Sequence, residues 1–109
     1  MDPSNEGVRA AVRAWLGWLR DDVGFGAWRF DYARGFAARY IAEYASEVEE
    51  LCVGEFWPEA KWQMGGVLDP DQDDMRQALC DWLDQCAAAP NLCAFDFTTK
   101  AVLQEAVRR

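Results

Sequence analysis

The chain has 109 residues, enough for one domain or part of one, and 51% of them are hydrophobic, as in ordinary globular proteins. Its 19 acidic and 11 basic residues give a formal charge of -8, so we expect neither nucleic acid nor an anionic membrane surface as a partner. No apolar run approaches the ~20 residues that span a bilayer, and the polar start of the chain lacks a signal-peptide core. No segment indicates a cellular compartment.

The residue types also exclude several kinds of site. The sequence contains no histidine, which rules out Ser-His-Asp and Cys-His catalysis and leaves carboxylates as the acid and base groups. The cysteines lack the C-x-x-C spacing of zinc sites, so we interpret them as buried free thiols. They are Cys52, Cys80, Cys86 and Cys93. A disulfide between Cys86 and Cys93 would require an oxidising compartment, which nothing in the sequence establishes.

The first predicted helix begins after Ser4 or Asn5, either of which can act as its N-cap. Its apolar residues recur at helical spacing and predict one buried face, with arginines on the other. The apolar set is Val8, Ala11, Val12, Trp15, Leu16 and Leu19, and the basic set is Arg9, Arg13 and Arg20. Gly24 and Gly26 then end the helix and turn the chain into a strand.

That strand lies within residues 26–35, where aromatic residues stand between glycines. Arg29 and Asp31 are two positions apart and therefore share a face of the strand. Charges at a strand end are costly unless they pair or face a cleft. Parallel α/β proteins place their chemistry at such strand ends. A structural ion pair, however, explains this spacing as well as a catalytic pair does.

The rest of the chain alternates in the same way. A second helix follows Gly35, a second strand covers residues 51–57 up to Pro58, and a third helix follows the turn at residues 69–71. A third strand covers residues 92–98, and a last helix begins at Thr98 or Thr99. The residues expected to face inward on the three helices are Ala37, Tyr40, Ile41, Tyr44, Ala45 and Val48; Met75, Ala78, Leu79, Trp82, Leu83 and Cys86; and Val102, Leu103, Ala106 and Val107.

The predicted order of α, β, α, β, α, β, α indicates an α/β fold. Strands joined through helices lie parallel, so we expect three parallel strands with flanking helices. Three strands cannot close a barrel, and a sheet this narrow exposes two edges. We therefore expect residues 1–109 to be one incomplete segment of a larger domain. In isolation, such a segment should be weakly folded or self-associate through its open edges.

Three segments, residues 26–36, 53–57 and 95–100, resemble the α-amylase family of glycoside hydrolases, and most of all its plant and algal members. The resemblance runs from about Val12 to the end of the chain. Its specific element is an Arg-x-Asp strand end followed, some two dozen residues later, by a strand that ends in Glu. The resemblance implies a TIM (β/α)8 barrel, of which this chain would supply strands 4 to 6.

The resemblance also implies roles for individual residues. Asp31 would be the nucleophile that forms a covalent glycosyl-enzyme intermediate, and Glu55 the acid and then the base. Arg29 would hold Asp31 ionised and oriented. Arg34 would lie near the leaving sugar, and the carbonyl of Gly35 would bind a structural calcium ion. Independently of the family, neighbouring parallel strands lie ~4.8 Å apart, and a retaining glycosidase needs two carboxyl groups ~5–5.5 Å apart.

Each of these residues also has a simpler explanation. Glu55 on its own is a solvated strand-end carboxylate, and Arg34 equally suits a plain surface position. Trp57 is a candidate for stacking on a sugar ring, but packing in the core accounts for it equally well. Asp96 matches the family segment without a role that can be derived. The acidic patch at Asp69, Asp71, Asp73 and Asp74 is better explained as a solvated helix start than as a calcium loop.

Two functional hypotheses follow. In the first, the chain is a fragment of a retaining endo-hydrolase of α-1,4-glucosidic bonds in starch- or glycogen-type polysaccharides. The family's third catalytic aspartate would lie beyond Arg109 and its early strands before Met1, so the isolated chain is expected to be inactive. In the second, the chain is a non-catalytic truncated α/β module that docks on a partner or is a gene remnant. Hydrolysis and glucan transfer are not distinguished by these residues.

Overall fold

The alternating order of helices and strands is present in the computed structural model, which describes residues 2–108. Met1 and Arg109, the two ends of the predicted segment, lie outside the described residues. A π-helical turn at Leu19–Val23 follows the first helix, and a 3-10 turn at Ala33–Gly35 follows the first strand. The regular elements are α1 Glu6–Trp18, β1 Trp28–Phe30, α2 Ala38–Ser46, β2 Cys52–Gly54, α3 Asp73–Gln85, β3 Leu92–Ala94 and α4 Phe97–Arg108.

The strands form one parallel sheet in the order β1-β2-β3. Phe30 lies opposite Gly54, and Gly54 lies opposite Ala94. This confirms the prediction of three parallel strands with flanking helices, as expected for part of an α/β barrel. Within residues 2–108 the sheet is open, because β1 and β3 are each paired on one side only. The strands are shorter than the predicted segments, since the residues after β1 and β2 form rim loops and Phe97 and Thr98 begin α4.

The core is built around α2, whose predicted inward face is confirmed except at Ala37. Ile41 and Ala45 are completely buried, and Tyr40, Tyr44 and Val48 are nearly so. Burying side chains of this size stabilises the fold by ~1.5–3 kcal/mol each, so α2 contributes a large share of the apolar stabilisation. Ala37 is exposed instead, because it precedes the helix as its N-cap residue.

Asn91 connects this core helix to the sheet. Its side-chain amide donates hydrogen bonds to the carbonyls of Ala45, Val48 and Glu50 at 3.1, 2.9 and 2.8 Å. Its own backbone carbonyl accepts from the N–H of Cys52 at 3.0 Å. One side chain thereby satisfies the C-terminal end of α2 and fixes where β2 begins. No sequence pattern predicted this role of Asn91, because it depends on contacts with segments some 40 residues away.

The inward face predicted for α1 is wrong in part. Asn5 caps the helix as predicted, accepting from the N–H groups of Gly7 and Val8. Leu16 is buried, but Trp15 is 56% exposed and Ala11 is also exposed. An open apolar cavity of about 450 Å³ lies between this face and β1. Periodicity predicted a face that could be buried, but β1 is an edge strand and no described element covers the gap.

The pattern suggested that the basic side of α1 faces only solvent, but this side also contacts α2. Arg9 and Arg13 both form ion pairs with Glu43 on α2, the first of them at 3.2 Å, and Arg13 also pairs with Glu6 at 3.0 Å. These ion pairs join α1 to α2 through partly buried side chains.

The inward face predicted for α4 is wrong. Val102, Leu103, Ala106 and Val107 are all exposed, and Val107 is 88% exposed. The helix instead buries Phe97 and Thr98 in its first turn and begins at Phe97, one residue earlier than predicted. It follows β3, which is an edge strand, so no described element lies against the rest of its apolar face.

The four cysteines are free, and no disulfide joins Cys86 to Cys93. Cys52 and Cys86 are buried as predicted, whereas Cys80 and Cys93 are exposed, so the prediction of buried thiols is wrong for these two. Burial raises the pKa of both buried thiols to about 11. None of the helices within residues 2–108 has the length and apolar character needed to cross a bilayer.

Candidate active site

The register of the sheet places Asp31 and Glu55 side by side. Phe30 and Gly54 are paired at the ends of β1 and β2, so the next residue of each strand leaves the same rim. The N–H of Glu55 donates to the carbonyl of Phe30 at 2.8 Å, and the N–H of Ala33 donates to the carbonyl of Glu55 at 3.0 Å. Backbone hydrogen bonds on both sides therefore hold the two carboxylate-bearing residues at neighbouring strand ends.

A single guanidinium joins the two carboxylates. Nη1 of Arg29 lies 2.8 Å from Oδ1 of Asp31, and Nη2 lies 2.8 Å from Oε1 of Glu55. Asp31 is the more exposed acid, with 72% of its side chain accessible against 27% for Glu55. Ion pairs as accessible as the one with Asp31 contribute little to stability. The sequence analysis paired Arg29 with Asp31 and missed its second contact, because that contact depends on the register between strands.

Glu55 has a second donor, the backbone N–H of Tyr32, 3.2 Å from Oε2. Tyr32 has a φ of 48°, the one left-handed value among the non-glycine residues that the structure describes. Such a conformation costs a non-glycine residue free energy and concentrates at functional sites. No sequence signal predicted it, since tyrosine is not among the residues that favour positive φ.

Gly35 lies directly against the Tyr32 side chain. A Cβ at position 35 would come within 2.6 Å of the Tyr32 ring, so any other residue here would displace that exposed ring. This close contact favours glycine at position 35 without a metal ion. The turn at Ala33–Gly35 and the strained Tyr32 together set the direction in which the chain leaves the Asp31 rim.

The predicted calcium contact of Gly35 is not part of a complete site within this chain. Calcium takes six to eight oxygen ligands, several of them carboxylates. Among residues 2–108 there is no group of three or more acidic, cysteine or histidine side chains arranged to hold a metal ion. The described residues therefore do not fit a calcium site by themselves, and the role of Gly35 as a ligand stays a prediction.

Arg34 and Trp57, the two predicted substrate-binding residues, are brought together by the rim loops. Nη1 of Arg34 donates to the backbone carbonyl of Trp57 at 3.2 Å. The Trp57 ring is 38% exposed and stacks on Phe97 with ring centroids 5.8 Å apart. Nζ of Lys100 lies 4.8 Å from the centroid of the same ring. Trp57 therefore lies in the loop after β2 with its ring against the first turn of α4, and it is not a core residue.

Trp82 on α3 packs against the two residues that flank Glu55. This buried indole stacks on Phe56 with ring centroids 5.1 Å apart, and it approaches Gly54 so closely that a Cβ there would lie 2.3 Å away. The residues on both sides of Glu55 are thus fixed by one side chain from α3. Trp82 was predicted to face inward, but its contact with Gly54 was not foreseen.

Asp96 also lies at the rim, after β3, but its interactions explain it fully. Its carboxylate accepts from the hydroxyls of Thr98 and Thr99, both at 2.6 Å, and from the N–H of Thr99 at 3.0 Å. The hydrogen bond from the Thr98 hydroxyl, followed by those from Thr99, lowers the pKa of Asp96 to about 2. Asp96 is the N-cap of α4.

The acidic patch has a similar structural explanation. The Asp69 carboxylate accepts from the N–H of Asp71, and the Asp71 carboxylate accepts from the N–H of Asp73, both at 3.0 Å. These contacts lie directly before and at the start of α3, in agreement with the prediction that the patch is a helix start.

Comparisons with known proteins identify related sequences. No family model matches the chain. It is 44% identical over 109 residues to Probable alpha-amylase 2 of Arabidopsis thaliana, covering 99% of this chain and 26% of that protein. It is 34% identical over 110 residues to the chloroplastic Alpha-amylase 3 of the same plant, covering 100% of this chain and 12% of that protein. A Glucan 1,4-alpha-maltotetraohydrolase of Roseateles saccharophilus is 31% identical over 94 residues, covering 79% of this chain and 15% of that protein. The chain thus spans about a quarter or less of the length of these relatives.

Proposed function

We propose that the chain, a relative of the α-amylase family of glycoside hydrolases, is a segment of an enzyme that cleaves α-glucans with Asp31 and Glu55 as its catalytic pair. The observation that carries this proposal is the sharing of one guanidinium by two carboxylates from neighbouring strand ends. Two carboxyl groups gathered so closely suit the ~5–5.5 Å separation of a retaining glycosidase. The proposed substrate is a starch- or glycogen-type polysaccharide with α-1,4 linkages.

In the proposed reaction, a carboxylate oxygen of Asp31 attacks the anomeric carbon of the sugar. The bond from that carbon to the glycosidic oxygen breaks while protonated Glu55 donates its proton to the departing oxygen. A sugar ester on Asp31 results. Water then attacks the anomeric carbon and transfers a proton to the Glu55 carboxylate, while the bond from that carbon to the Asp31 oxygen breaks. Asp31 leaves as a carboxylate, Glu55 is protonated again, and the sugar is released with retained configuration.

The proposal requires a change at Arg29. Glu55 acts as an acid only when it is protonated, and a neutral carboxyl group does not form an ion pair. The contact between Arg29 and Glu55 therefore opens when substrate enters, while the contact between Arg29 and Asp31 remains and orients the nucleophile. The N–H of Tyr32 keeps Glu55 at the rim during this exchange, because a backbone donor serves the neutral and the ionised carboxyl group alike.

We expect the 109-residue chain by itself not to cleave starch. The family resemblance calls for a third carboxylate at the reaction centre. Among the described residues, Asp96 is the acid that follows the remaining strand, and its carboxylate is occupied as the cap of α4. The chain therefore presents two of the three acids in the proposed arrangement.

A non-catalytic role is the second candidate, and a different observation favours it. Within residues 2–108, no element covers the apolar cavity of about 450 Å³ beside β1 or the exposed apolar face of α4. A module that docks on a partner, or on a second copy through its open sheet edges, would bury both. This candidate predicts concentration-dependent assembly without glucan cleavage.

The decisive experiment is a chimera. The segment of Probable alpha-amylase 2 that matches this chain is replaced by the chain, and starch hydrolysis is measured. We expect an active chimera, whose activity falls by about three orders of magnitude or more with Asp31→Asn or Glu55→Gln. The matched control is Asp22→Asn, an exposed acid in the turn after α1, which should leave activity unchanged.

A second readout identifies the nucleophile directly. In the Glu55→Gln chimera, a glucosyl donor with a good leaving group should still react once, because departure of that group needs no acid. Mass spectrometry should then find the sugar on the peptide that contains Asp31. A chimera that keeps its activity without either carboxylate, or a sugar attached elsewhere, would overturn the assignment.

A further inference from the structure

Glu55 stands between two residues that pack against the same buried side chain. The backbone N–H and carbonyl of Glu55 form hydrogen bonds of 2.8 and 3.0 Å with β1 and the turn after it, so the strand pairing continues past the end of β2. Side chains alternate along such a backbone, and Glu55 therefore points away from the side that Gly54 and Phe56 face. Trp82 occupies the side of Gly54 and Phe56, and Arg29 that of Glu55.

Trp82 touches both neighbours of Glu55 with its six-membered ring. Its tip carbon Cη2 lies 2.3 Å from the place of a Cβ at position 54, and Cζ2 and Cζ3 each lie 3.1 Å from it. The Phe56 ring is stacked on the indole, with an angle of 14° between the two planes and 5.1 Å between the centroids. The backbone at Glu55 therefore has no room to move towards α3, and moving away from α3 would break the stack.

The indole is itself held in place by α3. Leu79 and Cys86 lie three residues before and four residues after Trp82, on the same face of the helix, and all three are buried. The Cys86 thiol donates to the carbonyl of Ala38, at the start of α2, at 3.6 Å. Because α3 is anchored on α2 in this way, the position of Trp82 is fixed by the helix layer and not by the rim.

The contact depends on the shape of the indole and not on its polar group. The N–H of Trp82 is buried and has no hydrogen-bond partner among residues 2–108. A buried donor without a partner costs free energy, which a phenylalanine or leucine filling the same core would avoid. What tryptophan offers in return is reach, since its ring extends farther from the backbone than a phenyl ring does. That reach is what brings the ring to Gly54.

The placement of Glu55 matters because proton transfer is sensitive to distance. A general acid works within ~2.6–3.2 Å of the atom that it protonates. A displacement of ~1 Å can cost about a hundredfold in rate. The contacts with Arg29 and the Tyr32 N–H, at 2.8 and 3.2 Å, orient the carboxylate itself. They do not fix the backbone from which the side chain projects.

We propose that Trp82 is a positioning residue for Glu55, whose indole sets how far the carboxyl group of Glu55 projects over the rim towards the glycosidic oxygen. The proposal rests on the proposed function of Glu55 as the acid. Trp82 acts through Gly54 and Phe56 and touches neither substrate nor the reacting atoms. A residue on an outer helix thereby controls the proton-transfer step.

The test compares two substrates of the chimera that carries this chain. Cleavage of maltoheptaose requires a proton on the departing oxygen, whereas α-maltotriosyl fluoride releases fluoride without one. Trp82→Phe shortens the ring and frees the space beside Gly54, so that Glu55 can shift. We expect kcat/KM to fall by about tenfold or more for maltoheptaose and by less than about threefold for the fluoride. The loss for maltoheptaose should lie in kcat and not in KM.

Two further variants separate positioning from general destabilisation. Ile41→Val removes a buried methylene group from α2 and is the matched control, because it should affect the two substrates equally or not at all. Adding Gly54→Ala to Trp82→Phe places a methyl group in the vacated space. This double variant should recover most of the lost activity on maltoheptaose, since the two changes compensate each other at one contact.

Hydrogen exchange tests the position of Glu55 without relying on activity. The N–H of Ala33 donates to the Glu55 carbonyl at 3.0 Å, and the N–H of Tyr32 donates to its carboxylate. In the Trp82→Phe chimera, the peptide that carries these two amides should exchange faster than in the unsubstituted chimera and in the Ile41→Val control. Mass spectrometry of the exchanged peptides measures this difference.

The outcomes separate this proposal from the catalytic one. A loss selective for maltoheptaose, recovered by Gly54→Ala and accompanied by faster exchange, supports the role of Trp82. Equal losses on both substrates, or unchanged exchange at Tyr32 and Ala33, overturn it and leave the catalytic pair untouched. A Glu55→Gln chimera that loses both substrates equally would instead overturn the proposed function, while the exchange measurement still judges Trp82.

Discussion

The indole of Trp82 fills the space beside Gly54 in which any other residue would place its Cβ, with the nearest ring carbon 2.3 Å from that position. Trp82 is 4% exposed and cannot move aside without opening the core. The glycine before Glu55 is therefore required by the packing of α3 against the end of β2.

Gly54→Ala should destabilise the fold by about 3 kcal/mol or more, because the extra methyl group overpacks a rigid contact. Chemical denaturation followed by circular dichroism measures this change. Gly17→Ala is the opposite control, since no atom lies within 4 Å of a Cβ there and the residue is helical. Gly17→Ala should leave the free energy of unfolding unchanged or raise it by about 0.5 kcal/mol. Equal midpoints for the two variants would contradict the packing argument.

Arg29→Lys should lower the starch-hydrolysing activity of the chimera. An ammonium group is a single point of charge and lacks the planar guanidinium geometry that holds Asp31 in one orientation. We expect kcat to fall by at least about tenfold, with a smaller change in KM, because the orientation of the nucleophile is lost rather than substrate contact. Steady-state kinetics on soluble starch check this. A change confined to KM would mean that Arg29 contacts substrate instead.

Asp96 should make the stability of the chain sensitive to acid. The pKa of Asp96 is lowered to about 2 in the folded chain by its hydrogen bonds with Thr98 and Thr99, against ~3.9 when unfolded. A lowered carboxyl pKa contributes stability that is complete above the unfolded value and is lost as the pH falls towards the folded one. The stability difference between the chain and its Asp96→Asn variant should therefore be constant above pH ~4 and disappear by pH ~2.

Denaturant midpoints at a series of pH values, at low and at high salt, measure this difference. Since the cause is local hydrogen bonding, the pH profile should persist at high salt, where longer-range charge effects are screened. A difference that vanishes at high salt, or that grows as the pH falls, would contradict the capping role.

The four thiols should fall into two classes of reactivity. Burial raises the pKa of Cys52 and Cys86 to about 11, so near neutral pH they are both shielded and protonated. Cys80 and Cys93 are exposed. An alkylating reagent at pH 8 should label these two quickly and the buried pair only after unfolding. Peptide mass mapping of the native chain checks this, and rapid labelling of Cys52 would show that β2 is not packed as described.

Some of this structure follows from sequence patterns alone. The face of α2 was predicted because its apolar residues recur at helical spacing and its neighbours do cover them. The common rim of Asp31 and Glu55 followed from the parallel order of strands joined by helices. Both inferences need only local periodicity and a rule of chain connection.

Other features depend on contacts between segments that are distant in sequence. No local sequence signature predicts the ion pair of Arg29 with Glu55 or the packing of Trp82 against Gly54. The same is true of the hydrogen bonds that join the Gln72 side chain to the backbone of Lys61 and Asp69. The faces of α1 and α4 fail for a related reason, because an amphipathic pattern states which side can be buried and not whether anything covers it. The left-handed φ of Tyr32 belongs to the turn that the chain makes after β1, just before Ala33–Gly35.

The hydrogen that Tyr32 gives to Glu55 comes from the main chain and not from a side chain. Replacing Tyr32 by almost any other amino acid leaves that donor in place, so a substitution at position 32 can change the side chain without removing the hydrogen bond to Glu55. Proline alone would remove it. In the proposed reaction, the acid is thus positioned by a backbone group, the part of the polypeptide that substitution changes least.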